Sequence, residues 1–442
     1  MHVNINNPAL AMILMFNFVI FGKYNSRLWA TLLLTSVAIL IARQAQAGPA
    51  SDDWPSWRGP TRDGIAATGQ TPPLRWSETE NVLWRTAVPG RGHSSPTVVG
   101  KCVYLTTADL EKQTQRVLCF DRSTGSLVWD TVVHQGGLIQ TGHRNTSHAN
   151  STVVSDGEHL YVNFLNDKAV HTTALDLQGK IRWQHRVCDF VTHQGFGSSP
   201  VVEGKVVLVV ADHRGGGTVA GLDRASGKVV WEQTRPKLPN YTSPAVVRAA
   251  GRTQMIVAGC NLVSSFDPQT GAKVWEIEGG TEECVVTPVT DGNRVFTSGG
   301  YPKNHMLAVL ADGSGKVAWK NINRLYVPSM IQEGGYLYAV LDAGMAVCWK
   351  SDTGEELWKE RLGGDFYASP VRVGERIYAP NLAGVTYVFD ARPEGFKLLA
   401  QNQLGNEAYA SPAICGSRIY MRVATTDEVR KEYLVCIGDK GN

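Results

Sequence analysis

The chain has 442 residues, of which 43% are hydrophobic and 19% charged, with a net charge of +3. That balance excludes a disordered chain and belongs to a globular protein with a sizeable core. With no basic run along its length, it also excludes a nucleic-acid partner held by a cationic face.

The first element is apolar. Lys23 and Arg27 precede the run at 28–42, and Ala45-Gln46-Ala47 follows it. A cationic start, an apolar stretch and a small-residue site read as a secretory signal peptide over 1–47. An uncleaved membrane anchor is the alternative, because a second apolar run lies at 10–21. The mature chain is expected to be periplasmic or secreted, without a transmembrane span. An oxidising compartment makes the eight cysteines matter, yet none stands in CxxC, in CxxCH or beside another. Cys119, Cys348 and Cys436 fall at one place in successive copies of the repeat described next, as small buried hydrophobes would. A bridge such as Cys102–Cys119 stays open.

Residues 48–80 read as an extended leader, "DDWPSWRGPTRDG" included, and 81–439 as a repeat array. Ser/Thr-Pro marks six copies, at Pro96, Pro200, Pro244, Pro288, Pro370 and Pro412. Thr152 and Ser329 take the proline place in two degenerate copies, which gives eight. Measured on that place, the spacing is 41 to 48 residues, except for 56 between the first two. Gly-x-x-x-Trp trails the starts at Gly125/Trp129, Gly179/Trp183, Gly227/Trp231, Gly271/Trp275, Gly315/Trp319 and Gly354/Trp358, and decays to Gly395/Leu399. Between these landmarks lie short β-rich runs such as "KVVLVVAD" and "RVFTSG", separated by turn pairs. A period of this length with four short strands predicts an all-β, eight-bladed propeller of four-stranded antiparallel blades. The eighth copy stops before its Trp strand, and "NVLWRTAV" around Trp84 supplies one at the other end, closing the ring.

The starts and the "FDRSTGSLVW", "LDRASGKVVW" and "FDPQTGAKVW" strands resemble the PQQ-type propeller repeat, from about Asp52 to Asp439. Quinoprotein dehydrogenases and the non-enzymatic barrel-assembly lipoprotein BamB share that repeat. The resemblance implies the fold. An activity does not follow from it, because the repeat is scaffold. In the enzymes PQQ lies between a tryptophan and an adjacent-cysteine disulfide, with Ca²⁺ on Glu, Asn and Asp. No two cysteines are neighbours here, so no cofactor and no metal are expected. PQQ with Ca²⁺ belongs to an alternative reading as an alcohol or sugar oxidoreductase.

In such a blade the first strand lines the channel, so residues just before each start share the top face. Three before the proline place stand His93, Tyr241, Tyr326, Tyr367 and Tyr409; two further back stand Arg91, Glu283, Arg324, Asp365 and Glu407. These predict an aromatic ring and a ring of mixed charge around a funnel mouth, suited to a planar or sugar-like ligand or a peptide. The insertion at 134–150 adds His143, Arg144 and His148, and nearby loops add His193, His213 and Arg214. A metal on His143, His148 and His193 has no matching ligand spacing. An anion cradle in "RGGGT" lacks the helix that would support it. The expected protein is a non-catalytic, monomeric binding or scaffolding module for an envelope protein or small ligand.

Overall fold

The computed structural model describes residues 52–139, 143 and 145–439. The signal-peptide expectation and Arg144 fall outside them. The described residues contain 32 strands in eight four-stranded antiparallel sheets and no helix, so none long and apolar enough to cross a membrane. Blade 1 is a meander of Thr97–Val99, Cys102–Asp109, Thr114–Asp121 and Leu127–Gln135. Blades 2 to 7 repeat it over 154–189, 201–235, 245–278, 289–321, 331–361 and 371–403. Blade 8 has three C-terminal strands, Ala413–Cys415, Arg418–Thr425 and Lys431–Ile437, and takes its fourth from Val82–Val88 in the register Trp84↔Cys436. The first strand of blade 8 meets that of blade 1, so the ring is closed as the truncated eighth copy predicts.

The two halves of Gly-x-x-x-Trp serve two different junctions. The tryptophan of one blade lies on the turn glycine of the next. A Cβ on Gly125 would stand 2.4 Å from Trp84, and one on Gly227 or Gly271 would stand 2.5 Å from Trp183 or Trp231. The indole N–H then donates to a carbonyl of that next blade, as from Trp129 to Leu177 at 3.0 Å and from Trp319 to Ser351 at 2.8 Å. Only a glycine leaves room for the ring while accepting the positive φ of the turn, +70° at Gly271. Blade 4 departs from the pattern, since Trp275 donates to Gln254 of its own blade at 2.8 Å.

The recurring Ser/Thr explains itself near the axis. The N–H of Ser95 donates to the hydroxyl of Thr152 at 3.0 Å, Thr152 to Ser199 at 2.9 Å, and Ser199 to Ser243 at 2.9 Å. Beyond a gap, Thr287 donates to Ser329 at 3.0 Å, Ser329 to Ser369 at 2.8 Å and Ser369 to Ser411 at 2.8 Å. Six blade junctions are thus stapled by one bond each, at about 1 kcal/mol apiece. The chain of bonds corrects the sequence alignment. Thr152 and Ser329 stand in the Ser place, not the proline place, so the sequence reading of copies 2 and 6 is one residue out of register.

The cysteines shared by the repeat lie in a common sandwich. Cys119, Cys348 and Cys436 are fully buried, each opposite a second-strand tyrosine (Tyr104, Tyr338, Tyr420) and an outer tryptophan (Trp129, Trp358, Trp84). Burial pushes the thiols up, to about 12 at Cys348 and about 11 at Cys436, which keeps them protonated and inert. Cys102 and Cys119 are free thiols.

The leader is a strap across the bottom face. Trp54 pairs with Val98 of blade 1, and Pro55 accepts from Ser155 of blade 2 at 2.8 Å. Arg62 meets Glu203 of blade 3 at 2.8 Å, and Ala66 donates to Arg372 of blade 7 at 2.8 Å. Thr71 donates to Ser417 of blade 8 at 2.9 Å, and Trp76 stacks on Tyr378 at 6.4 Å. At its centre Arg58 is 2% exposed and donates to Met330 and Asp63 carbonyls at 2.7 Å. Burial lowers its pKa to about 10.

Candidate functional site

Trp57, next to Arg58, turns up into the axial channel and donates its indole N–H to Thr287 at 3.0 Å. That bond occupies the Thr287 hydroxyl left open at one of the two unstapled junctions and gives the channel a floor. Above it lies a cavity of about 260 Å³. With the register corrected, the residue two before each Ser or Thr is His93, Asn150, Gly197, Tyr241, Val285, Val327, Tyr367 and Tyr409, and all eight line this cavity. Every blade therefore supplies one wall residue from the same turn into its first strand.

Four of the eight wall residues carry rings, and three of these pack on one another. His93 stacks on Tyr409 at 4.0 Å and 15°, and Tyr367 tilts against Tyr409 at 5.9 Å. Burial, then the charges of Arg91, Arg422 and Arg430, hold the His93 imidazole well below its usual pKa, so it is neutral. Tyr326 lines the wall beside Val327, and its hydroxyl donates to Glu283 at 3.0 Å. The insertion arches over one side: His143, Asn145 and Thr146 line the cavity, and the Asn145 amide reaches the Tyr367 hydroxyl at 3.4 Å.

The charge ring does not form at the mouth. Arg91 and Glu407 make isolated bridges to second strands, at Ala108 and Ala424, and Glu283 bridges Tyr301 in the loop after the second strand of blade 5; none of the three lines the axial cavity. Glu407 pairs with Arg430, Arg324 donates to the Gly300 carbonyl at 2.9 Å, and Asp365 is exposed. Glu283 alone stays close, 1% exposed behind Tyr326 and 3.3 Å from His193; burial raises its pKa. No Lys, Arg, Asp or Glu lines the cavity among the described residues.

The loop histidines separate. His193 meets Glu283 and Arg214, the latter at 3.1 Å. His148 points to the Ile139 carbonyl, away from the axis. His213 is buried against Phe190 at 4.9 Å, and its Nδ1 accepts from Val191 and Gly215. Among the described residues no three His, Cys, Asp or Glu gather to hold a metal. The "RGGGT" amides are used internally, Gly216 by the His213 carbonyl at 3.1 Å and Gly217 by Pro236 at 3.3 Å, so no anion cradle exists there. Sequence reasoning missed Trp57, Asn145, Asn150 and Gln194. The only signal for Trp57 was a tryptophan in a leader that belongs to no blade.

A closed ring of eight such blades, sealed below and open above, defines the class: a PQQ-like repeat propeller. The family described as outer membrane protein assembly factor BamB matches residues 56–189, 113–360 and 303–395, and the chain belongs to it. Among solved structures, BamB from Moraxella catarrhalis is 16% identical with a TM-score of 0.58, over 82% of this chain and 98% of that one. A europium-containing methanol dehydrogenase is 11% identical with a TM-score of 0.64, over 88% and 98%. The quinohemoprotein alcohol dehydrogenase from Comamonas testosteroni is 12% identical with a TM-score of 0.61, over 90% and 82%. At these identities the likeness is one of fold. No curated protein matches the sequence.

The cavity does not fit the cofactor of the dehydrogenases. PQQ is a polycarboxylate, and its Ca²⁺ needs carboxylate ligands. The described wall offers a tryptophan, but neither cations for the one nor carboxylates for the other. No step is derived through that group.

Proposed function

We propose that the chain is an exported, non-catalytic binding propeller that works through the mouth of its blind funnel on an uncharged group of an envelope partner or small molecule. The convergence of all eight blades on one neutral, aromatic cavity carries this reading. A scaffold alone has no need for such a wall, because the blades are already held by tryptophans and serine staples. Membership of the BamB family supports a binding role and an envelope location.

The test combines a pull-down from an envelope fraction with the double variant Tyr367→Ala, Tyr409→Ala. Binding should fall while the melting temperature stays within a few degrees, since both rings are only half-buried. A collapse of stability instead would make these tyrosines packing residues. Dye reduction with added PQQ and Ca²⁺ over alcohols and sugars checks the oxidoreductase alternative. Turnover that disappears in Asp365→Ala or Glu407→Ala would replace the binding reading.

A further inference from the structure

The wall chemistry restricts the ligand further. Its aromatic faces come at two orientations, the stacked His93–Tyr409 pair and the Tyr367 ring tilted 60° from Tyr409. Below them the Trp57 indole is fixed by its bond to Thr287. Between floor and ring lies a belt of hydroxyls from Thr152, Ser199, Ser243 and Ser411. Each accepts one backbone N–H, and among the described residues none donates its own hydrogen to a protein group. The amides of Asn145 and Gln194 each give one N–H to Tyr367 and Glu283 at 3.4 Å, and their carbonyl oxygens add acceptors to the same wall.

We infer that the funnel takes the terminal pyranose of an uncharged saccharide, an inference that rests on the binding reading above. A pyranose has a face of weakly positive C–H groups, which lies against the negative face of an aromatic ring. Its edge carries hydroxyls that both donate and accept, as this wall requires. A flat apolar ligand would leave several wall hydroxyls unpaired, each at a cost of about 1–3 kcal/mol. An anionic ligand would find hydroxyl donors but, among the described residues, no Lys or Arg on the wall to balance its charge. The cavity of about 260 Å³ leaves room for a single sugar ring.

The full mature chain is tested on an array of neutral hexose and N-acetylhexosamine oligomers, uronic-acid oligomers and aromatic-rich peptides, with hits measured by calorimetry. Neutral oligomers should bind, and uronic-acid ends should bind at least tenfold more weakly. Tyr367→Ala with Tyr409→Ala should cost at least tenfold in affinity and Ser243→Ala severalfold. Trp57→Phe, which keeps a ring but loses the orienting bond, should also weaken binding and guards against misfolding of Trp57→Ala. If peptides or uronic acids bind with the same tyrosine dependence and neutral oligomers do not, the saccharide class is wrong and the binding reading stands. If no arm of the array binds and no envelope protein is captured, both fall.

Discussion

Gly271 and Gly251 form a matched pair for testing how the blades are held apart and together. Both have positive φ, +70° and +76°, so alanine at either carries the same left-handed penalty of about 1–2 kcal/mol. They differ in what a Cβ would meet. At Gly251 nothing lies within 4 Å, whereas at Gly271 the new atom stands 2.5 Å from Trp231, about 1 Å inside ordinary carbon contact. Trp231 is only 8% exposed and tied to Pro268 at 3.1 Å, so it cannot step aside freely. Overpacking of that kind adds about 1–3 kcal/mol. Gly271→Ala should therefore lower stability by about 2–5 kcal/mol and Gly251→Ala by about 1–2 kcal/mol. Denaturant titration of the two variants reads the difference. Adding Trp231→Leu to Gly271→Ala should recover part of the loss, as a double-mutant cycle. Equal losses at the two glycines, or no coupling to Trp231, would refute the interlock as the source of the Gly-x-x-x-Trp pattern.

Two further outcomes follow from the strap and the histidines. Arg58→Ala removes the donor to two buried carbonyls at 2.7 Å and should cost about 3 kcal/mol or more, with faster proteolysis of 52–76 as the local readout. His93, His134, His171, His185, His213 and His305 all have pKa values lowered chiefly by burial, His134 to about 4. The unfolded chain protonates these groups near pH 6.5 while the folded chain resists, so stability is full above that pH and lost as pH falls. The melting temperature should drop between about pH 6.5 and 4. His134→Phe should flatten that slope by up to about 3 kcal/mol, and an unchanged slope would show that His134 does not contribute.

What could be read from the sequence was whatever the repeat wrote more than once. Blade count, circular closure through Trp84, the inter-blade tryptophans and most of the aromatic wall all come from positions visible in several copies. Where a copy lost its proline the phase was lost too, which placed Tyr326 where Val327 belongs and hid Asn150. The charge ring was misjudged for a different reason. Three of the entering segments make a bridge to their own blade before turning to the axis, and that bridge holds Arg91, Glu283 and Glu407 off the cavity wall. The floor was illegible because the strap has no counterpart within the array. Its backbone and side chains find partners on seven blades at sequence separations that no local pattern encodes.

A funnel plugged by Trp57 has a single doorway. Nothing can be threaded through the ring, so whatever enters must leave by the route it came. A long polymer can present only a terminus or a branch tip, never an internal stretch. If the proposed polymer ligand is right, the funnel counts ends rather than length, and its occupancy rises when a chain is cut.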